Sequence, residues 1–186
     1  MSCRSFKIAQ AVAALAAGKV IAYPTEAVWG LGCDPFNHAA VMELLELKQR
    51  SPDKGLILVA GHMQQFDFLL DPLSDAQRKR LQASWPGPTT WLVPHCQHVP
   101  QWVSGRYDTV ALRVSDHPLV RELCNNFGGP LVSTSANPQG LQPARNSLRV
   151  RSYFGRHVKI VPGSLGTRKN PSEIRDLASG RIVRPG

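Results

Sequence analysis

The chain has no apolar run approaching the ~20 residues that a membrane-spanning helix requires, so no membrane association is expected. Its four cysteines, Cys3, Cys33, Cys96 and Cys124, never fall in a C-x-x-C spacing. That pattern argues against both a disulfide framework and a zinc ribbon, and it fits a reducing, cytoplasmic setting. The phosphate loop G-x-x-x-x-G-K-[ST], the dinucleotide fingerprint G-x-G-x-x-G, the nucleophile elbow G-x-S-x-G and the zinc motif H-E-x-x-H are all missing. Their absence removes the common local signatures of nucleotide binding, acyl hydrolysis and zinc proteolysis. No repeat, low-complexity tract or compositional break marks a linker. His95-Cys-Gln-His98 lacks the two further ligands a metal centre needs and reads as a polar loop, so no protein-held metal is expected.

What is present is an ordinary globular composition over 186 residues, with 42% hydrophobic and 19% charged side chains. Such a length buries about 70% of the unfolded chain's surface without staples, and a single domain over residues 1–186 is the expectation. Lysine and arginine number 22 against 13 carboxylates, a formal net charge of +9. A cationic surplus of this size raises the local concentration of phosphates and polynucleotides without choosing between them. Arg4 and Lys7 precede an alanine-rich stretch at residues 9–17, but Gln10 interrupts it and Gly18-Lys19 closes it before the next apolar run. A first helix with a glycine stop explains this better than a signal peptide.

Apolar runs bounded by Gly, Pro or Asp predict strands at residues 20–23, 55–60, 89–93, 109–114, 130–132, 158–161, 172–177 and 181–183. Helical spacing predicts helices at residues 5–17, 39–49, 74–85, 118–127 and 147–153. The alternation of the two in the first half makes the fold class α/β, a twisted mixed sheet with flanking helices.

Four segments hold side chains suited to an anion. The helix after Asn37 ends in Lys48-Gln-Arg50, where two cations suit the helix dipole and Glu46 stands four residues before Arg50, so this segment alone favours a purely structural role. Ser133-Thr-Ser-Ala-Asn137 follows a strand, at the kind of end where open α/β sheets bind ligands, although a Ser/Asn turn satisfying its own backbone reads the same way. Thr109, Ala111 and Arg113 share one face of a strand, and a strand-borne arginine is costly unless it meets an anion. Near the end, Ser172 opens one strand and Arg184 closes another.

Together these segments resemble the YrdC/TsaC family of threonylcarbamoyl-AMP synthases, from the first helix to Arg184. The resemblance is carried by Ala22-Tyr-Pro-Thr-Glu-Ala-Val-Trp-Gly-Leu-Gly32, Leu45-Glu-Leu-Lys-Gln-Arg50, Trp85-Pro-Gly-Pro-Thr89, Ala111-Leu-Arg-Val114, Ser133-Thr-Ser-Ala-Asn137 and Pro171-Ser-Glu-Ile-Arg-Asp176. It implies a YrdC-like fold around a large basic cavity and a reaction of L-threonine, bicarbonate and ATP, with Mg²⁺, giving threonylcarbamoyl-AMP and pyrophosphate. A separate tRNA-modifying transferase complex would then carry the group to the adenosine beside the anticodon. By the same resemblance Lys48, Arg50, Thr109, Ser135, Asn137, Arg145 and Arg184 would face the nucleotide, with Lys48, Arg50, Ser135 and Asn137 at the reacting phosphates. Thr25, Arg113, Ser133 and Ser172 would hold threonine, and residues 138–146 would form a lid.

Longer relatives add a second domain, so an ending at Gly186 implies the short bacterial type. Some relatives also place a histidine against the amino acid where this chain runs Lys54-Gly-Leu-Ile-Leu-Val59. Two other functions compete. A non-catalytic module binding tRNA or double-stranded RNA would use the same charge, but it does not account for hydroxyls and an amide beside the cations. Carbamoyl-adenylate chemistry of the hydrogenase-maturation type comes with acylphosphatase-like and zinc-binding segments, which nothing in this chain resembles. Because Lys48 and Arg50 read as surface residues, alanine at either is expected to leave the thermal midpoint within a few degrees.

Overall fold

The computed structural model describes residues 3–186, with side chains described from Ser5. Nine strands form one mixed sheet: β1 (Ile21–Pro24), β2 (Trp29–Gly32), β3 (Ile57–Ala60), β4 (Thr89–Pro94), β5 (Thr109–Val114), β6 (Leu131–Ser135), β7 (Lys159–Ile160), β8 (Glu173–Asp176) and β9 (Ile182–Arg184). Their spatial order is β7-β1-β2-β6-β3-β5-β4-β8-β9. The helices are α1 (Cys3–Ala16), α2 (His38–Lys48), α3 (Asp67–Leu70), α4 (Asp75–Gln82), α5 (Gln101–Ser104), α6 (Pro118–Phe127) and α7 (Ser147–Phe154).

Strand β5 and helix α6 have the bounds that periodicity predicts, and most other predicted elements differ by one to three residues. Three differences matter. Strand β2 was not expected, because Gly30 and Gly32 weaken the strand signal. Strand β6 runs through Ser135, so its hydroxyls stand on a strand rather than in a turn. The short α3 and α5 carry too few residues to show a period.

Side chains divide between the two faces with the period of two that strands impose. Ile8 and Leu15 of α1 and Leu119 and Leu123 of α6 pack on Ile21, Tyr23, Val59 and Leu131. The adjacent positions Val20, Ala22, Leu58 and Val132 point the other way, into a core with Val41 and Leu44 of α2, Phe66 and Leu81. Each fully buried side chain of this size contributes about 1.5–3 kcal/mol. Helices α1 and α6 cover only the β1 side of the first face. Over the rest of it the floor is a rung running across four strands, Ser133, Ile57, Ala111 and Leu92, which register side by side. All four line one cavity of about 460 Å³.

Among the described residues no helix is long and apolar enough to cross a membrane. Cys33 and Cys124 are buried free thiols and Cys96 is an exposed one.

Candidate functional site

Arg50 reaches the cavity, and Lys48 does not, because of how α2 ends. Asn37 caps its start, its Oδ1 accepting from the Ala40 N–H at 3.1 Å. At the other end Gln49 takes the left-handed conformation (φ 53°, ψ 43°), and the Arg50 N–H returns to the Leu45 carbonyl at 3.0 Å. This reversal sends Lys48 and Arg50 in different directions. Arg50 lines the cavity, half-buried, with Nη2 donating to the Gly55 carbonyl at 2.9 Å rather than pairing with Glu46. Lys48 goes inward and is 4% exposed. Its Nζ donates to the carbonyls of Ser135 at 2.6 Å and Asn137 at 2.9 Å.

The expected surface character of Lys48 is therefore corrected. Lys48 does not line the cavity; it fastens the strand end that presents Ser135, which does. Burial, and then the nearby Arg50 charge, pull its ammonium pKa down to about 8.

Arg50 and Arg184 face the same space. Burial lowers the Arg50 pKa first; Tyr107 opposes this and Arg184 adds to it. Burial alone lowers that of Arg184, whose Nη2 donates to the Ser172 carbonyl at 2.9 Å. Among the described residues neither arginine has a carboxylate partner, and Arg50 Nε is buried with no partner at all. Converging, partly desolvated cations without a counter-charge are destabilising in the empty protein and stabilised by an anion.

The hydroxyl groups are set with definite polarity. Thr25 Oγ1 donates to the Val28 carbonyl at 2.7 Å, leaving its lone pairs to accept. Ser133 Oγ accepts from the Tyr23 hydroxyl at 3.0 Å, leaving its own proton to donate. The Ser172 and Thr90 hydroxyls share one hydrogen bond at 2.8 Å. Thr109, Ala111 and Arg113 all face the cavity, as alternation along β5 predicts. Arg113 is held from two sides, Nε donating to the Gly87 carbonyl at 3.1 Å and Nη2 lying 2.7 Å from Glu26 Oε1.

Two other residues named from sequence lie elsewhere. The Asn137 amide donates to the carbonyls of Pro138 and Leu141, closing its own turn. Arg145 lines a separate, open groove with Arg149 and Leu148. Sequence reasoning missed Glu26, Lys54, Tyr107 and Arg168, which also line the cavity. Lys54 had a readable signal, since it stands four residues beyond Arg50; its Nζ donates to Gln139 Oε1 at 3.0 Å. Arg168 had none, because a strap at residues 162–172 brings it in. There the Gly166 and Arg168 N–H groups donate to the carbonyls of Thr25 and Glu26 at 3.0 and 3.1 Å.

Among the described residues no group of three or more His, Cys, Asp or Glu side chains comes together to hold a metal. The one carboxylate lining the cavity, Glu26, is already paired with Arg113.

An open α/β sheet with a cleft lined by guanidinium and hydroxyl groups has the chemistry that suits phosphate- and carboxylate-bearing small molecules. The particular family follows from comparison. The sequence profile of Sua5/YciO/YrdC, described as telomere recombination, matches residues 13–186. The chain belongs to that family. It is 60% identical over 182 residues to a threonylcarbamoyl-AMP synthase of Pseudomonas fluorescens (strain Pf-5), covering 97% of this chain and 98% of the relative. It is 58% identical over 183 residues to a protein of the same name from Pseudomonas putida (strain KT2440), covering 98% of each. The crystal structure of P. abyssi Sua5 complexed with L-threonine superposes with a TM-score of 0.91 at 28% identity, over 100% of this chain and 56% of that one. This chain thus spans about half the length of that Sua5.

Proposed function

We infer that the protein is a threonylcarbamoyl-AMP synthase, a nucleotidyltransferase converting L-threonine, bicarbonate and ATP to threonylcarbamoyl-AMP and pyrophosphate. The observation that carries this is one cavity bringing Arg50 and Arg184, free of carboxylates, within reach of the Arg113, Ser133 and Thr25 cluster. One end suits phosphates and the other an amino acid.

In this reading the ammonium of threonine first gives up a proton to solvent, and the free amine and bicarbonate form a carbamate with loss of water. A carboxylate oxygen of the carbamate attacks the α-phosphorus of ATP, forming the new P–O bond as the bond to the β-phosphate oxygen breaks and pyrophosphate leaves. Nothing in these steps needs a protein nucleophile, so catalysis rests on positioning and on neutralising charge. Arg50, Lys54 and Arg184 would neutralise the polyphosphate, with Thr109 and Ser135 supplying hydroxyls. Lys48 and Asn137 would act from behind, by fixing the strand end that bears Ser135. Arg113 would take the substrate carboxylate by its fork, Ser133 would donate to it, and Thr25 would accept from the substrate. Mg²⁺ enters with ATP, and its chemistry is charge neutralisation on the phosphates.

Supply of the product to a tRNA-modifying transferase complex is the role that this chemistry suits, since a mixed carbamic–phosphoric anhydride is an activated acyl donor. The test is pyrophosphate release from purified protein with ATP, Mg²⁺, bicarbonate and a panel of amino acids. Release dependent on threonine is expected. Release indifferent to the amino acid, or absent, overturns the assignment.

A further inference from the structure

Among the described residues Glu26 is the one carboxylate lining the cavity, and neither the phosphate end nor the threonine contacts above make use of it. It is 6% exposed, and an ionised carboxylate so deeply placed needs compensation. Compensation comes at one oxygen from the Ser115 hydroxyl, donating at 2.5 Å, and from the charge of Arg113, whose Nη2 lies 2.7 Å away. Asp116, the neighbouring acid, meets Arg168 Nη2 at 3.1 Å and also the Glu26 carboxyl, so Arg113 and Arg168 together balance Glu26 and Asp116 in one cluster. The contact between Glu26 and Arg113 is close but poorly aligned as a hydrogen bond, so Nη2 keeps hydrogen-bonding capacity for another acceptor.

The pairing changes what this end of the cavity attracts. An arginine alone would take any carboxylate. Arg113 beside Glu26 is a neutral pair, and a bare anion gains little Coulomb energy from it. A zwitterion gains at both ends, its carboxylate at Arg113 and its ammonium at Glu26. We propose that Glu26 is a specificity-determining residue, which with Arg113 makes this end of the cavity select the amino acid as its zwitterion by accepting from the ammonium. Thr25, next in the chain and presenting lone pairs, stands on the same turn. The proposal rests on the amino-acid reading of this cavity and adds to it the discrimination between an α-amino acid and an amine-free acid.

The experiment is equilibrium binding by calorimetry of two ligands, L-threonine and 3-hydroxybutyrate, the second being threonine without its amine. Wild-type protein is expected to bind threonine at least about 10-fold more tightly than 3-hydroxybutyrate, the value of one charge-assisted hydrogen bond. Glu26→Gln keeps the shape and removes the charge. It should weaken threonine by at least about 10-fold while leaving 3-hydroxybutyrate unchanged or tighter, since Arg113 then has no competing carboxylate. Ser115→Ala removes the donor that holds the Glu26 carboxylate in place, so it should weaken threonine by about 3-fold while leaving 3-hydroxybutyrate unchanged, and it serves if Glu26→Gln fails to fold. Unchanged threonine binding in Glu26→Gln, or equal loss of both ligands, overturns the proposal while leaving the synthase reading intact. A wild-type protein that binds no threonine overturns both.

Discussion

At the scale of single residues, Lys48 and Arg50 show how two side chains of one motif come to differ. Both are cations two positions apart, and composition treats them alike. The left-handed turn at Gln49 separates them, sending one to the interior and the other to the cavity. Lys48→Met would leave the carbonyls of Ser135 and Asn137 without their donor, a loss of about 2–4 kcal/mol. For a chain of this length the midpoint should fall by about 4–16 °C in a thermal melt. Arg50→Ala gives up the Nη2 hydrogen bonds to the Lys54 and Gly55 carbonyls at a half-buried site, about 1–2 kcal/mol, and should lose activity far more than stability. The pH dependence of Lys48 has a definite sign. Its folded pKa, about 8, lies below the ordinary 10.5, so between those values the unfolded chain holds a proton that the folded chain has released. Stability contributed by this group therefore rises with pH across that window and is depressed below it. The gap in midpoint between wild type and Lys48→Met should widen as pH rises from 8 to 10. A constant or narrowing gap would show that the ammonium stays charged in the fold.

At the scale of elements, the strands with clear alternation were legible and the one that depends on small residues was not. Thr109, Ala111 and Arg113 could be placed on one face because β5 alternates strictly, and the cavity lies on that face. Strand β2 carries no such signal, because its glycines are there for what approaches them. A Cβ on Gly32 would lie 2.6 Å from the Val132 carbonyl and 2.8 Å from the Tyr23 ring. The same Tyr23 hydroxyl orients Ser133, so the tight packing at β2 sets a cavity hydroxyl. Sequence can show that a glycine interrupts a strand, but not that a tyrosine from the next strand fills the space. Gly32→Ala should destabilise by about 2 kcal/mol or more through overpacking. Gly129→Ala, whose added methyl meets nothing within 4 Å, should stay within about 0.5 kcal/mol. Urea midpoints of the two variants make the comparison, and equal shifts would refute the packing account. The hydroxyls of β6 illustrate a different limit: Ser and Asn favour turns when judged locally, and here sheet pairing with β2 and β3 overrides that preference.

At the scale of the whole molecule, the site exists because the two helices on one sheet face cover only part of it. Residues 162–172 cross from β7 at one edge toward β8 near the other and bring Arg168 over the cavity, a long-range closure that no local pattern encodes. The lid expected from sequence is the loop at residues 138–146, and its two ends are not equivalent to its middle. Gln139 N–H donates to the Lys48 carbonyl at 2.8 Å, and Ala144, fully buried, exchanges hydrogen bonds with Ala136 and Trp29. Between these anchors Gly140 and Leu141 are exposed, and Pro143 lines the cavity. The tip is held by side chains, Asn137 donating to the Leu141 carbonyl and Tyr153 to that of Gln142, and we propose that it closes over the cavity by small shifts without unfolding the anchors. Closure would shield a hydrolysis-prone anhydride from water, which gives the motion a chemical purpose. Limited proteolysis at residues 139–142 should therefore slow several-fold when ATP and threonine are present together, and less with either alone, because only both fill the two ends of the cavity. A cleavage rate indifferent to the ligands would leave the loop a fixed wall. Slowing by ATP alone to the full extent would assign the loop to the phosphate end, with the strap at residues 162–172 left as the cover for the amino acid.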